Sequence, residues 1–362
     1  MRSNQRSQLL LANGQQHQGF AFGAETVMSG EVVFNTAMTG YPESLSDPSY
    51  KGQILVLTTP MIGNYGVPEP RMINGIPEFF ESEKIQISGL VITDYSPDYS
   101  HWNAWKSLDT WMKEHGIPGV YGVDTRELTK NIRDHGAVPG KIIPQGQPDV
   151  IPFHDPNDEN LVDQVSIREV KTYGSGDIHI VLVDCGVKYN IIRHLLSRNT
   201  KITRVPWDYN YANLDFDGLF ISNGPGNPAL CLPAIEHIRI SLQKDKPIFG
   251  ICLGNQLMAL AAGAETYKLP YGHRGHNQPV LMVGTDRAFI TSQNHGFAIV
   301  EESIPADWEP MFVNLNDNTN EGIRHKTKPF FSAQFHPEAS GGPTDTAFLF
   351  DDFIENIKRG IH

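Results

Sequence analysis

What this chain of 362 residues has little of narrows its function before any motif is read. It carries three cysteines, Cys185, Cys231 and Cys252. So small and odd a number in a long chain argues against a disulfide scaffold and for a reducing compartment, with the cytoplasm as the expectation. No apolar run approaches the roughly 20 residues that cross a bilayer. The stretch Leu9-Leu10-Leu11-Ala12 is also too short for the apolar core of a secretory signal. Positive charge is scarce as well: 29 Lys and Arg face 41 Asp and Glu, a net charge of −12. That balance speaks against nucleic acid or an anionic membrane as the main partner. Neither a Gly-x-x-x-x-Gly-Lys-Ser/Thr loop nor a dinucleotide fingerprint occurs, so nucleotide chemistry is not expected in this chain. Cys-x-x-Cys and His-Glu-x-x-His are missing too. His273, Arg274 and His276, in a glycine-rich stretch, therefore have no spacing rule behind them, and no metal is expected.

What is present fills two cores, because a chain of this length exceeds one comfortable domain. Residues 1–150 read as a mixed α+β domain. Glu31–Asn35 and Gln53–Leu57 are short, apolar and partly β-branched, as strands are. Asp124-Thr125-Arg126-Glu127 has capping-box spacing, followed by Leu128 and Ile132 one turn apart and a stop near Gly136. Residues 151–177, with Pro152 and Pro156 among Asp, Asn and Gly, have the composition of a linker. From 178 to 362 the pattern is α/β: an open, largely parallel sheet flanked by helices. Ile178–Val183 is a continuous apolar run suited to a strand buried on both faces. Gly218–Ile221 and Pro247–Ile251 are further strands, and Phe348 to Ile357 is an amphipathic terminal helix.

The chemistry centres on Gly250-Ile251-Cys252-Leu253-Gly254, set between a buried strand and a helix that starts with Gln256 and Leu257. This is either a nucleophile elbow with Cys in place of Ser or a buried cysteine between loop glycines. The strand before it and the helix after it favour the elbow, whose cramped turn needs small neighbours. The helix N-terminus beneath it favours an anion at sulfur. A thiolate needs a base, and the base an orienting group. His336-Pro337-Glu338 offers both, although a lone His-x-Glu is more often a surface pair. Ser222-Asn223-Gly224-Pro225-Gly226 follows the strand Leu219–Ile221 at the sheet's carboxyl edge. It reads as a plain turn or, beside an elbow, as an oxyanion hole completed by the Leu253 N–H. Gln293-Asn294-His295-Gly296-Phe297 says little alone, a hydrogen-bonded turn being its commoner fate. Cys185 and Cys231 lack an elbow and should simply pack.

Taken together, in this order and spacing, the Gly250–Gly254, Ser222–Gly226 and His336–Glu338 segments resemble the class I (triad) glutamine amidotransferases. Gly30–Thr36, Gly40-Tyr41-Pro42-Glu43, Asp47-Pro48-Ser49-Tyr50 and Ile62–Gly66 look like the amino-terminal domain of the carbamoyl phosphate synthetase small subunit. Asp124-Thr125-Arg126 and Arg274–Asn277 fit as well. The resemblance implies Cys252 as nucleophile, His336 as base and Glu338 as its orienter, with Gly224 and Leu253 holding the oxyanion. It implies glutamine contacts at Ser49, Gly224, Gly226, Leu253, Gln256, Asn294, Gly296 and Phe297. It further implies a large partner subunit forming a heterodimer, which binds ATP with Mg and bicarbonate and receives ammonia through a tunnel to make carbamoyl phosphate, for arginine or pyrimidine biosynthesis. No cofactor is expected in this chain. One position departs: most members of that family carry His after the elbow glycine, where this chain has Asn255. Three other readings stay open: an amidotransferase for another acceptor, a non-catalytic glutamine-binding regulatory subunit, and a free-standing cysteine hydrolase.

Overall fold

The β-branched runs of the first half close on themselves. Strands β1 (Arg6–Leu11), β2 (Gln16–Gly23), β3 (Met28–Asn35), β4 (Gln53–Leu57), β5 (Gly89–Ile92), β6 (Pro118–Tyr121) and β7 (Val138–Pro144) form a barrel in the order β1-β7-β3-β4-β5-β6-β2. Strand β2 pairs back with β1, so no edge is left to template aggregation. Strands β3 to β6 run parallel in that order and the rest antiparallel. Helices α1 (Leu108–Glu114) and α2 (Thr125–His135) accompany the barrel. The α2 start is as the sequence suggests: the Asp124 carboxylate accepts from the Arg126 and Glu127 amides. Gly136, at φ 90°, ends it. Val33, Leu55, Leu90 and Ile92 share a core with Tyr50, Trp111 and Met112. An α+β domain was expected; that its sheet closes was not.

The computed structural model describes residues 5–360 and divides after Asp158 into two units. The expected linker is thus split. Residues from Glu159 onward belong to the second unit, where strand β8 (Lys171–Tyr173) pairs with β10 (Thr200–Pro206). Loop-like composition did not prevent this, because a three-residue edge strand needs backbone pairing and little apolar content.

The second unit is built on a ten-stranded sheet. Its remaining strands are β9 (Ile178–Asp184), β11 (Gly218–Ile221), β12 (Ile248–Ile251), β13 (Thr266–Met282), β14 (Ala288–Ile299), β15 (Trp308–Asn314), β16 (Asn320–His325) and β17 (Phe330–Ala333). The order is β8-β10-β9-β11-β12-β17-β16-β15-β13-β14. The run from β10 to β17 is parallel, whereas β16, β15, β13 and β14 extend it antiparallel.

Side chains alternate across the parallel strands. Val181, Val183, Leu219, Ile221 and Ile248 pack with Ile235 and Ile238 of helix α4 (Leu232–Ser241) and with Leu257 and Met258 of α5 (Leu253–Ala262). Phe220 and Phe249 face the other way, against Phe350 and Phe353 of the terminal helix α6 (Phe348–Gly360). Each such buried ring contributes about 1.5–3 kcal/mol. Helix α3 (Tyr189–Leu196) buries Ile191, Ile192 and Leu195 beside β10. Both faces of the parallel core are therefore covered, which leaves its carboxyl edge as the place for chemistry.

Candidate active site

Four neighbouring strands, β9, β11, β12 and β17, end on the same edge of the sheet and hand over to the motifs picked out above. Cys252 follows β12, and its N–H donates to the Ala333 carbonyl of β17 at 2.8 Å. Its backbone is strained, at φ 54° and ψ −103°. The flanking glycines make that turn possible. A Cβ on Gly250 would lie 2.6 Å from the Gly254 carbonyl oxygen, and one on Gly254 only 2.2 Å from that of Ile221. Leu253 is the first residue of α5, so its N–H has no acceptor within the helix.

Six non-glycine residues among those described have positive φ. Three are asparagines, which tolerate it. The others are Cys252, Ala339 and Ser340, all in this one region. Strain of that kind persists only where the surrounding structure fixes it.

His336 lies three residues beyond β17, and its N–H donates to the Ser292 carbonyl of β14 at 2.8 Å. Its Nδ1 meets Glu338 Oε1 at 2.6 Å. That leaves Nε2, which has no conventional hydrogen-bond partner among the described residues, on the Cys252 side of the ring. Burial alone would disfavour an imidazolium here. The negative charge of Glu338, with Cys252 adding to it, outweighs burial and the opposing Lys188, and raises the His336 pKa. Burial likewise opposes the Glu338 carboxylate, yet Lys188 and His336 hold its pKa below the ordinary range.

Lys188 is the residue the sequence reading missed. It follows β9, is buried, and places Nζ 3.1 Å from Glu338 Oε1 and 2.7 Å from the Ala339 carbonyl. Its only sequence signal is a lysine just past a buried strand, in Gly186-Val187-Lys188, four residues from an aspartate that organises the turn. Asp184 Oδ1 accepts from the Gly186 and Val187 amides, while Oδ2 is paired with Arg204 at 2.8 Å. The Lys188 amide in turn donates to Asn223 Oδ1 at 3.0 Å, tying this turn to the glycine loop.

Gly224 is packed too tightly for any side chain: a Cβ would lie 2.0 Å from the Cys185 carbonyl oxygen and 2.8 Å from Leu253 Cδ2. The two expected oxyanion donors therefore sit on adjoining residues. Gly226 takes φ 81° and packs over Leu161.

The Gln293–Phe297 segment is not a turn. It lies within β14, paired with β13, with Asn294 opposite Arg274 and His295 opposite His273. Its polar residues hid the strand because their partners are polar neighbours rather than an apolar core. The Cys252 thiol donates to the Asn294 carbonyl at 3.6 Å, and Gln256 Nε2 donates to that of Phe297 at 2.8 Å. Gly296 lies 3.3 Å, measured from a built Cβ, from the Arg274 guanidinium.

Asn255 is buried in a network of its own. Its Nδ2 donates to Gln334 Oε1 at 2.9 Å, its Oδ1 accepts from Ser332 Oγ at 2.7 Å, and Gln334 Oε1 also accepts from Gln256 at 3.1 Å. Ser49 belongs to the first unit, where its N–H is capped by Asp47 Oδ1 at 2.9 Å. Cys185 and Cys231 are core residues, and burial pushes the Cys231 thiol up to about 12. Among the described residues no helix is long and apolar enough to cross a membrane.

Chemically, the arrangement offers a strained, buried thiol, an imidazole turned to it, a carboxylate and an ammonium behind that imidazole, and backbone amides at the sulfur. Residues 181–356 match the family model described as glutamine amidotransferase class-I. Residues 9–142 match carbamoyl-phosphate synthase small chain, CPSase domain. The chain is 51% identical over 98% of its length to carbamoyl-phosphate synthase (ammonia), mitochondrial, of Aquarana catesbeiana, of which it spans 24%. It is 52% identical, again over 98%, to multifunctional protein CAD of Squalus acanthias, of which it spans 16%. Multifunctional protein ura1 of Schizosaccharomyces pombe shares 48% over 94% of the chain, which spans 17% of it. The chain thus corresponds to a quarter or less of these relatives. With relatives aligned along nearly all of it, the chain thus joins a carbamoyl-phosphate synthase small-chain CPSase domain, residues 9–142, to a class-I glutamine amidotransferase domain, residues 181–356.

Proposed function

We propose that this chain hydrolyses L-glutamine and delivers the ammonia to a synthetase portion, on a separate large subunit or fused, that makes carbamoyl phosphate. The observation that carries the reading is the convergence of Cys252, His336, Glu338 and Lys188 at one sheet edge. Cys252 sulfur attacks the carboxamide carbon of glutamine, and the developing oxyanion is held by the N–H groups of Gly224 and Leu253. His336 passes a proton to the departing nitrogen, which leaves as ammonia from a γ-glutamyl thioester. Water, deprotonated by His336, then cleaves the thioester to glutamate and returns the thiol.

Glu338 fixes the imidazole through Nδ1, and Lys188 holds the carboxylate in place. Gln256, Asn294, Gly296, Phe297 and Gly226 would line the glutamine site. Ammonia released into neutral water would be protonated and lost as a nucleophile, which is the physical reason for a sealed route. ATP, Mg and bicarbonate belong to the synthetase in this reading. The free thiols support the cytoplasm or another reducing compartment.

A relative named for ammonia suggests the alternative of a domain that no longer cleaves glutamine. The presence of Cys252 with its complete set of partners counts against that here. The deciding experiment uses the chain with its synthetase. Cys252→Ser should abolish glutamine-driven carbamoyl phosphate synthesis and leave ammonia-driven synthesis intact. Unaltered glutamine use in that variant would overturn the assignment.

A further inference from the structure

Next to the thiol site, two imidazoles are turned towards one carboxylate. His273 of β13 and His295 of β14 are cross-strand partners, their rings edge to face at 4.9 Å. Glu321, from β16, places Oε1 3.3 Å from His273 Nδ1 and 3.9 Å from His295 Nε2. All three side chains are buried, and the three donor atoms lie within 4.8 Å of one another.

The outer nitrogens of both rings are already engaged. His273 Nε2 lies 2.7 Å from Asp317 Oδ2, and His295 Nδ1 lies 2.9 Å from the Phe297 carbonyl. Both of those oxygens only accept, so each outer nitrogen carries a proton, and in the neutral rings the inner nitrogens present lone pairs. Asn314 agrees, since its Nδ2 donates to Glu321 Oε1 at 3.0 Å and approaches His273 Nδ1 at 3.4 Å. Gln293 Oε1, 3.2 Å from His295 Nε2, is a further oxygen on the same side. Glu321 Oε2 has no hydrogen-bond partner among the described residues. A fully buried carboxylate oxygen without a donor is costly unless something positive completes it.

We propose that His273, His295 and Glu321 form a site for a divalent transition-metal ion, with zinc the best match. Two imidazole nitrogens and a carboxylate are a standard zinc donor set, with bonds near 2.0–2.1 Å and a fourth position for water or another oxygen. Tetrahedral bonds of that length put ligands about 3.4 Å apart; the Glu321 oxygen lies 3.3 and 3.9 Å from the two nitrogens, and all three donor atoms fall within 4.8 Å. Zinc-bound histidines characteristically give their second N–H to a carboxylate or a backbone carbonyl; Asp317 and Phe297 supply one of each. The three ligands come from three strands, so no short spacing announces them in the sequence. An ion here would clamp β13, β14 and β16 together at the residue between Asn294 and Gly296. The proposal stands independently of what the thiol site acts on.

The test is a titration of the tag-free, chelator-stripped full chain with Co²⁺, read by visible absorption, followed by displacement with Zn²⁺. One equivalent should bind with tetrahedral d–d bands and no thiolate charge-transfer band, and Cys252→Ser should bind equally well. Asp317→Asn should bind about 10–100-fold more weakly. His273→Asn and Glu321→Gln should lose more than that while keeping the circular dichroism of the parent. Zn²⁺ should raise the Tm of the parent and of Cys252→Ser but not of His273→Asn. Absence of stoichiometric binding would overturn the site, as would binding lost in Cys252→Ser and kept in His273→Asn.

Discussion

Lys188 and His336 share a single oxygen: Glu338 Oε1 lies 3.1 Å from the ammonium and 2.6 Å from the imidazole Nδ1. All three groups are buried, and among the described residues the carboxylate is balanced by the ammonium, the imidazole and the backbone around them.

Removing the lysine therefore leaves a buried carboxylate with one partner. Lys188→Met should cost about 3–5 kcal/mol of stability, the usual penalty for breaking a buried ion pair. It should also slow glutamine hydrolysis more than it raises the glutamine KM, because the loss falls on the imidazole's support. Denaturant unfolding and steady-state kinetics measure the two. A variant as stable and active as the parent would show that Lys188 is a bystander.

The same geometry predicts a pH signature. His336 has its pKa raised above the ordinary 6.5, up to about 10, so its contribution to stability is full below 6.5. That contribution should fade as pH climbs through the folded value. Glu338 is held down at about 2 against the ordinary 4.5. Its contribution is full above 4.5 and fades on acidification through the folded value. The Tm advantage of the parent over His336→Asn should thus be greatest between these limits and shrink from pH 6.5 towards 10. A difference that stays flat over that alkaline range would contradict the charge assignment.

At the elbow, sterics make a sharper forecast. A Cβ at Gly254 would meet backbone of Ile221 at 2.2 Å, and backbone cannot swing aside. Gly254→Ala should lose at least about 1–3 kcal/mol, along with nearly all glutaminase activity, since the turn carrying Cys252 must shift. Wild-type Tm and turnover in this variant would mean that the elbow has slack the structure does not show.

The buried amide network suggests a milder effect. Asn255→Leu is nearly isosteric but strips Gln334 of one donor and Ser332 of one acceptor. A cost of about 1–3 kcal/mol is expected for the unsatisfied groups. Because Gln256 shares Gln334 Oε1, glutamine KM should rise with it. Isothermal denaturation with a KM measurement decides it, and an unchanged KM would detach Asn255 from the substrate side.

How far the residues alone could lead differs from one element to the next. Ile178–Val183, Gly218–Ile221 and Ile248–Ile251 are legible as strands because a parallel sheet buried on both faces demands uninterrupted apolar runs. The α2 cap at Asp124 is equally plain, being a contact two and three residues long. Cys252, Gly250 and Gly254 are legible for the same local reason. The polar second half of strand β14 was not, since Asn294 and His295 face Arg274 and His273 of β13 and His295 also meets Glu321 of β16, and periodicity registers only apolar burial. The closure of the first-unit barrel was hidden too: β1 meets β7 across more than a hundred residues, and register over that distance leaves no mark on local pattern.

By itself, then, the order of residues determined which groups could react: a thiol on a strand-to-helix bend, an imidazole with a carboxylate two positions on, and glycines where backbone must come close. Those are short-range properties, settled within a few bonds of each residue. Which groups meet was decided only by the sheet. Its strand order brings the ends of β9, β11, β12 and β17 side by side, and with them Lys188, Gly224, Cys252 and His336. Its antiparallel half turns two histidines and a glutamate, far apart in the chain, onto one point. Distance along the chain says nothing about such encounters, because they are fixed by hydrogen-bonded register and packing rather than by neighbours in sequence.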